Sequence, residues 1–330
     1  EVEQECGWMY ETWHPHCDAP NRVKGKINYT VWSDVFLCPN CGAEMVFWDL
    51  AVDQKNGIIS NDWHCPACGT LVAKSPQKAS GALRAERAWE THFDRELKQT
   101  VRQARQVPVL INYSVGKKRY EKKPDAEDLT LIQKIEEMDI PYWVPTNKMP
   151  EGFNTEQPKI SHGLTHVHHF YTRRNLIILG NLFSIADDSF SMKITLLSIL
   201  RGLTYLQRYR PGTSFPDMAL TGTLYVASMM REWSTIERFR GKTKGLLRSF
   251  SSRESIRKNN SLIQTNSSSI IKSANYDHCD YIFIDPPFGG NLMYSELNFL
   301  WEAWLRVFTN NQTEAVINAV QHKGLYEYQA

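Results

Sequence analysis

The sequence predicts an α/β protein with a small β-rich metal-binding insertion, and three observations predict it. Two Cys-Pro-x-Cys-Gly knuckles stand 23 residues apart, and a wholly apolar run, Tyr281-Ile282-Phe283-Ile284, ends at Asp285. Stretches of helical periodicity and short alternating or apolar runs are interspersed along the rest of the chain.

With 330 residues, 42% hydrophobic and 22% charged, the chain is long enough for one large or two modest cores, and its composition excludes disorder as the default state. It contains no run of eighteen apolar residues. Its start, Glu1-Val2-Glu3-Gln4-Glu5, is acidic where a secretory signal is basic and then apolar, so a cytoplasmic protein without a membrane span is expected. Because the first residue is Glu and reads as the middle of a helix, the chain is expected to be an internal or N-terminally truncated part of a longer protein.

In chain order, Ile27, Tyr29, Val31 and Val35 alternate with polar or small residues as a half-buried strand does, leading into Cys38. Residues 45–52 are a second strand candidate, and Asn56-Gly57 is a turn signal. The stretch 81–107 reads as helix and 107–115 as a strand running to a tip at Gly116. Residues 125–138 carry Leu129, Ile132, Ile135 and Met138 at helical spacing, stopped by Pro141 and Pro145. Residues 145–163 are polar, hold three prolines and read as a linker. Thr172 is placed to cap a helix over 176–185, and a further helix over 192–209 is closed by Pro211-Gly212. Beyond it come a short strand at 222–228, a helix over 229–238, a basic Ser/Asn-rich loop at 249–269 and a helix over 298–308. The expected division is a helical lead-in at 1–26, the ribbon-containing insertion at 27–123, helix and linker at 124–163, and a helical region with the apolar strand and its acidic end at 164–330.

The formal charge of +2 argues for no nucleic-acid partner by itself; position matters more. Lys117-Lys118-Arg119-Tyr120-Glu121-Lys122-Lys123 is basic around a tyrosine, and Arg238, Arg240, Lys242, Lys244 and Arg248 follow one another without an intervening acid. Each stretch is either a phosphate track or a solvated face.

Seven cysteines in a chain without a secretion signal suggest metal before disulfides. In Cys38-Pro39-Asn40-Cys41-Gly42 and Cys65-Pro66-Ala67-Cys68-Gly69, each Cys-x-x-Cys turn aims two thiolates at one centre. The glycine that follows lets the backbone fold back so that its amides face the sulfurs. Cys38, Cys41, Cys65 and Cys68 therefore define a closed four-sulfur zinc site, structural because no position is left for substrate. His14-Pro15-His16-Cys17 lacks a fourth partner. His162, His166, His168 and His169 have no carboxylate near them in sequence and read as packing or phosphate-contact residues.

Asp285-Pro286-Pro287-Phe288 lies where open α/β sheets bind ligands, just past the carboxyl end of a buried strand. Its chemistry suits an exocyclic amine, whose lone pair is delocalised into the base. Asp285 and the Pro286 carbonyl can each accept one N–H, freeing the lone pair for an electrophile, and the prolines stiffen the loop while removing competing donors. Phe288 can stack on an extruded base.

Tyr281 to Gly290, followed by Tyr294-Ser295-Glu296-Leu297-Asn298-Phe299-Leu300-Trp301-Glu302-Ala303-Trp304-Leu305, closely resembles the bacterial and archaeal DNA methylases that contain a zinc ribbon. Thr165-His166-Val167-His168-His169-Phe170-Tyr171-Thr172-Arg173-Arg174-Asn175-Leu176 and the knuckles share that resemblance, which covers most of the chain. It implies a Rossmann-like methyltransferase sheet, incomplete in this chain, with an inserted zinc ribbon. It also implies S-adenosylmethionine as cofactor, DNA as partner, a place in restriction-modification chemistry, and methylation of adenine N6 ahead of cytosine N4, with Asp285, Pro286, Pro287 and Phe288 as the catalytic motif. The sequence departs from the family in one respect: no glycine-rich cofactor loop is recognisable. The chain alone is therefore expected not to bind S-adenosylmethionine. Two alternatives stay open, an RNA guanine-N2 methyltransferase and a non-catalytic zinc-ribbon module that binds nucleic acid.

Overall fold

The computed structural model describes residues 1–15, 22–75, 81–187, 189–212, 220–252, 289–290, 292–310 and 316–329. They form a mixed α/β protein with several sheets, none closed into a barrel. The chain opens with α1 (Val2–Cys6) and a 3-10 turn at Gly7–Tyr10, then β1 (Glu11–Trp13) and the long β2 (Lys24–Leu37). Fourteen residues without proline, alternating at their start and buried on both faces toward the end, make β2 the spine of a seven-stranded sheet.

Around the knuckles come β3 (Glu44–Val46), α2 (Phe47–Ala51), β4 (Val52–Asp53), β5 (Ile58–Ile59), β6 (Asp62–His64) and β7 (Leu71–Ala73). The expected strand at 45–52 is thus split by one helical turn that buries Phe47, Trp48 and Ala51. Then follow β8 (Leu83–Arg84), β9 (Glu86–Arg87), β10 (Trp89–Asp94), β11 (Gln99–Ala104), β12 (Gln106–Val115) and β13 (Lys118–Lys122). The helix expected over 81–107 does not form. Its Ala, Arg, Glu and Leu content favours helix, but pairing overrides propensity: β9 adds to β2, and β10 and β11 make a hairpin from Trp89↔Ala104 to Asp94↔Gln99. The hairpin turn carries no Gly or Pro. Asp94 builds it by accepting the Glu96 and Leu97 amides at 3.0 and 2.9 Å, and Lys98 adopts φ +54°.

The strand expected at 107–115 is β12. It pairs antiparallel with β2, with irregularities between Pro108 and Leu110 and between Asn112 and Tyr113. The first accommodates a proline, which has no N–H for the ladder, in a central strand. Among the described strands all pairs are antiparallel except β7 with β8. The apolar strand expected at 281–284 lies outside the described residues.

The helical part holds α3 (Ala126–Glu136), α4 (Phe153–His162), α5 (Arg173–Ile185) and α6 (Phe190–Leu200), then β14 (Met229–Trp233), α7 (Thr235–Ser252), α8 (Tyr294–Leu305) and α9 (Leu325–Gln329). Asp125 caps α3 in a reciprocal capping box with Asp128. The segment expected as a linker contains α4 despite Pro158, because a tertiary partner holds its start: the buried Glu296 carboxylate accepts the Asn154 amide at 2.8 Å and its side-chain amide at 3.1 Å. Helix α6 stops at Leu200, short of the expected 209, and passes through a 3-10 turn at Arg201–Leu203. The helix expected from 229 is instead β14, laid on β2 from Met229↔Ser33 to Trp233↔Tyr29 and buried on both faces, so its sequence shows no alternation.

Two hydrophobic clusters flank β2. The larger gathers α5, α6 and α8 with Ile27, Ile111 and Tyr113; the second packs Val31, Phe36, Trp48, Trp63 and Met229 around Cys38 and Cys65. A buried ion pair joins the layers. Arg174 of α5 forks onto Glu232 of β14, which also accepts Trp32 Nε1–H at 2.7 Å and the Thr172 hydroxyl at 2.5 Å. Arg174 further donates to Thr30 Oγ1 at 2.7 Å and lies over the Tyr10 ring. Thr172 does stand at the N-cap of α5, yet its hydroxyl serves Glu232 and not the helix.

Arg174→Ala strands the Glu232 charge in the core and should cost about 3–5 kcal/mol. Urea denaturation followed by circular dichroism checks it; a loss under about 1 kcal/mol, the scale of an exposed pair, refutes this role.

Candidate functional site

The cysteine quartet is assembled by two turns of the same geometry. In the first, Gly42 N–H donates to Cys38 O and Cys38 N–H to Ala43 O, both at 2.9 Å; in the second, Gly69 N–H donates to Cys65 O and Cys65 N–H to Thr70 O, also at 2.9 Å. Gly42 and Gly69 sit at φ +73° and +72°, where a side chain would be strained. All four Sγ atoms lie within 4.8 Å of one another, with Cys38–Cys68 at 3.6 Å and Cys41–Cys65 at 3.7 Å. Sulfurs about 2.3 Å from a tetrahedral ion stand about 3.8 Å apart, so the quartet fits such an ion without rearrangement. Cys38 and Cys65 are buried beside the mutually packed rings of Phe36, Phe47 and Trp63, while Cys41 and Cys68 face solvent. Hydrogen bonds from the Thr70 hydroxyl and amide hold the Cys68 thiol at about 5.

The second feature is a cavity of about 500 Å³ between the β10–β11 hairpin, α3 and the 3-10 turn Val167–Phe170. Chain folding gives the histidines the carboxylates that their sequence neighbourhood lacks. His168 Nε2 and His169 Nε2 lie 2.9 and 2.8 Å from Asp94 Oδ2, and His162 Nε2 lies 3.3 Å from Asp34 Oδ1. Burial alone would raise the Asp94 carboxyl, but hydrogen bonds from both imidazoles and the Leu97 amide hold it well below the usual range. Burial also lowers His162 and His169, favouring their neutral forms. At the cavity edge, Asp34 accepts Arg87 Nε–H and Gln106 Nε2–H, each at 2.8 Å. These partnerships span 74 and 128 positions of sequence, so no local pattern announces them.

Asp285, Pro286, Pro287 and Phe288 lie outside the described residues. Immediately after them Gly289 takes φ +55° and its carbonyl accepts Ile317 N–H at 3.2 Å. In the quoted stretch beyond, Glu296 is wholly buried and bonds Asn154 and the Asn318 side-chain amide. Of the basic stretches, Lys122 is neutralised by Asp125 at 2.6 Å and Asp128 at 2.8 Å. On α7, Arg238 lies 3.9 Å over the Trp233 ring and Arg240 pairs with Glu3 and Glu237, whereas Lys242 and Lys244 are exposed. His14 meets the Tyr113 hydroxyl at 2.7 Å; His16 and Cys17 lie outside the described residues. No described helix is long and apolar enough to cross a membrane.

Comparison with protein-family models, curated proteins and solved structures finds no match.

The Asp34 arrangement carries a pH dependence. Burial works to raise Asp34, but the hydrogen bond from His162, the Arg87 charge and Gln106 prevail and depress it. A depressed carboxyl stabilises the fold above its unfolded value of about 4, and that stability is lost as pH falls further. The depressed His162 adds a loss that begins below about 6.5, where the unfolded chain takes up the proton first. Urea midpoints from pH 7 to 3 should fall for the wild type; Asp34→Asn should start lower at pH 7 and lose less below pH 4. Parallel curves for the two proteins refute the assignment.

Proposed function

We propose that Cys38, Cys41, Cys65 and Cys68 hold one structural zinc ion, and that the chain serves S-adenosylmethionine-dependent methyl transfer to an exocyclic amine of a DNA base, adenine N6 ahead of cytosine N4. The observation that carries the zinc assignment is the pair of sulfur–sulfur separations, 3.6 and 3.7 Å, in an all-thiolate set. Soft sulfur donors in a tetrahedron select zinc among common divalent ions, and a filled coordination shell confines it to a structural role. The ion would tie the two knuckles to the Phe36–Phe47–Trp63 cluster, giving this ribbon-like segment a brace that its short strands lack.

The methyltransferase reading rests on the tetrapeptide and its context: an apolar strand, Asp285-Pro286-Pro287-Phe288, then a stretch that resembles the zinc-ribbon DNA methylases. In this reading Asp285 and the Pro286 carbonyl accept the two N–H bonds of the target amine and Phe288 stacks on the base. Asp285 is too weak a base to remove an amine proton beforehand; it acts as acceptor while positive charge develops on nitrogen. S-Adenosylmethionine does not fit the described residues, since their positive-φ glycines are scattered singly through turns and form no glycine-rich link from strand to helix. That same observation favours a second reading, a zinc-braced module that binds nucleic acid without catalysis, for which the exposed Lys242 and Lys244 offer phosphate contacts.

X-ray absorption should give one sulfur-bound zinc per chain with four Zn–S bonds of about 2.3 Å. Cys41→Ser should lose it; full sulfur-bound occupancy in that variant excludes the site.

In the intact enzyme, methyl transfer from labelled S-adenosylmethionine should reach duplex DNA and vanish in Asp285→Ala, whereas the chain by itself should transfer nothing. Near-wild-type transfer by that variant removes Asp285 from the reaction. Labelling of ribosomal RNA instead of DNA supports guanine-N2 chemistry, and DNA binding without transfer supports the non-catalytic module.

A further inference from the structure

We propose that Asp94, His168 and His169 form a binding site for a divalent transition-metal ion, separate from the cysteine quartet and open to the cavity. The proposal is independent of the methyltransferase reading. Three potential ligand atoms, one from each residue, lie within 4.8 Å of one another on buried side chains. Both imidazole Nε2 atoms converge on a single oxygen, Asp94 Oδ2, at 2.9 and 2.8 Å. Adjacent ligands of an octahedral ion with bonds of about 2.1 Å stand about 3.0 Å apart. Those two separations therefore match two edges of one face of an octahedron, and all three residues line the cavity.

The geometry is held from outside the triad. Asp94 Oδ1 is occupied by the Glu96 and Leu97 amides, which leaves Oδ2 for the histidines. The histidines sit side by side on a buried 3-10 turn closed by His169 N–H to His166 O and Tyr171 N–H to His168 O, both at 3.1 Å. His168 Nδ1 is buried with no hydrogen-bond partner, so the ring is anchored through Nε2 alone. An ion supplies a far stronger anchor there than a share of one carboxylate oxygen. The Thr165 amide donates to His169 Nδ1 at 3.3 Å, and both rings present Nε2–H to Asp94. An ion on the Nε2 atoms shifts each imidazole proton to Nδ1, where on His169 it replaces the amide contact and the Thr165 hydroxyl, 3.4 Å away, can accept it. Two nitrogens and one carboxylate oxygen select manganese, iron, cobalt or zinc in the divalent state over magnesium and calcium, which prefer all-oxygen shells. The cavity, about 500 Å³, leaves room for water or a small anion on the open positions.

The test uses the whole chain with its cysteine site filled by zinc. Manganese(II) is titrated in while the free-ion paramagnetic resonance signal is followed, because manganese competes poorly for thiolates. One manganese per chain is expected, with electron-spin-echo modulation showing directly bound imidazole nitrogen. Asp94→Asn and His169→Gln should each weaken binding by about tenfold or more. His166→Gln should leave it unchanged, since that ring stands 5.2 Å from His169, outside the triad. Should Asp94→Asn fail to fold, His169→Gln and the nitrogen modulation of the wild type decide. Absence of bound manganese at millimolar concentration with the sulfur-bound zinc intact overturns the proposal, as does bound manganese without nitrogen coupling.

Discussion

The buried pair of Arg174 and Glu232 is the interaction on which the arrangement of layers depends. Placing a guanidinium and a carboxylate inside a core is tolerable only when their hydrogen-bonding capacity is met locally, because desolvation otherwise exceeds their attraction. Here Trp32, Thr30, Thr172 and the Met9 carbonyl, whose contact with Arg174 is 3.3 Å, complete the network. These partners come from β2, the turn after α1 and the start of α5, so the network is satisfied at one relative placement of those elements. It also favours one register of β14 on β2, since Glu232 pairs across from Thr30. A one-residue slip would turn Glu232 away from Arg174 and into apolar surroundings. Asn175, the next residue of α5, extends the knot to the Tyr10 and Thr235 hydroxyls and the Leu203 carbonyl.

From this fixed point the two candidate sites follow along β2 and the segment before α5. Val31 and Phe36 of β2 enter the core that backs the cysteines, and Asp34 between them contacts His162, which lines the cavity. The strand then ends at Leu37, one residue before Cys38. Filling the cysteine site with a cation would therefore stiffen the end of the strand that presents Asp34. His168 and His169 stand a few residues before Arg174, so the ion pair that docks α5 also sets where the 3-10 turn meets Asp94.

What was legible in the sequence had local causes. Cys38, Cys41, Cys65 and Cys68 could be read because each knuckle encodes its own turn, and α3 because Leu129, Ile132, Ile135 and Met138 recur at helical spacing. Long alternating or apolar runs, β2 and β12, were equally plain. The misreadings share one cause, a distant partner that overrides local preference. Residues 81–107 have helix-forming composition, yet β2 and the hairpin claim them. Residues 229–233 lack alternation because both faces are covered, and α4 stands on a carboxylate more than 140 positions away. The Asp94 triad was invisible for the same reason, since His168 and His169 acquire a carboxylate only when the β10–β11 hairpin folds against their turn.

Helix α4 joins α8 to the wall of the histidine cavity. At ten residues it is about 15 Å long. Its first turn is held by Glu296, in the helix that begins a few residues after Asp285-Pro286-Pro287-Phe288. Its last residue, His162, lies at the cavity against Asp34. Both ends are tightly specified. At Gly152, which precedes the helix, an added Cβ would stand 2.1 Å from Glu296 Oε1; Gly163, which ends it at φ +71°, would place a Cβ 2.3 Å from the Arg102 carbonyl oxygen. Arg102 belongs to the same hairpin that supplies Asp94, so α4 is clamped between α8 and the cavity wall. A rigid helix clamped at both ends transmits displacement better than it absorbs it. Movement of α8 would thus be felt at the histidine cavity through a single short element.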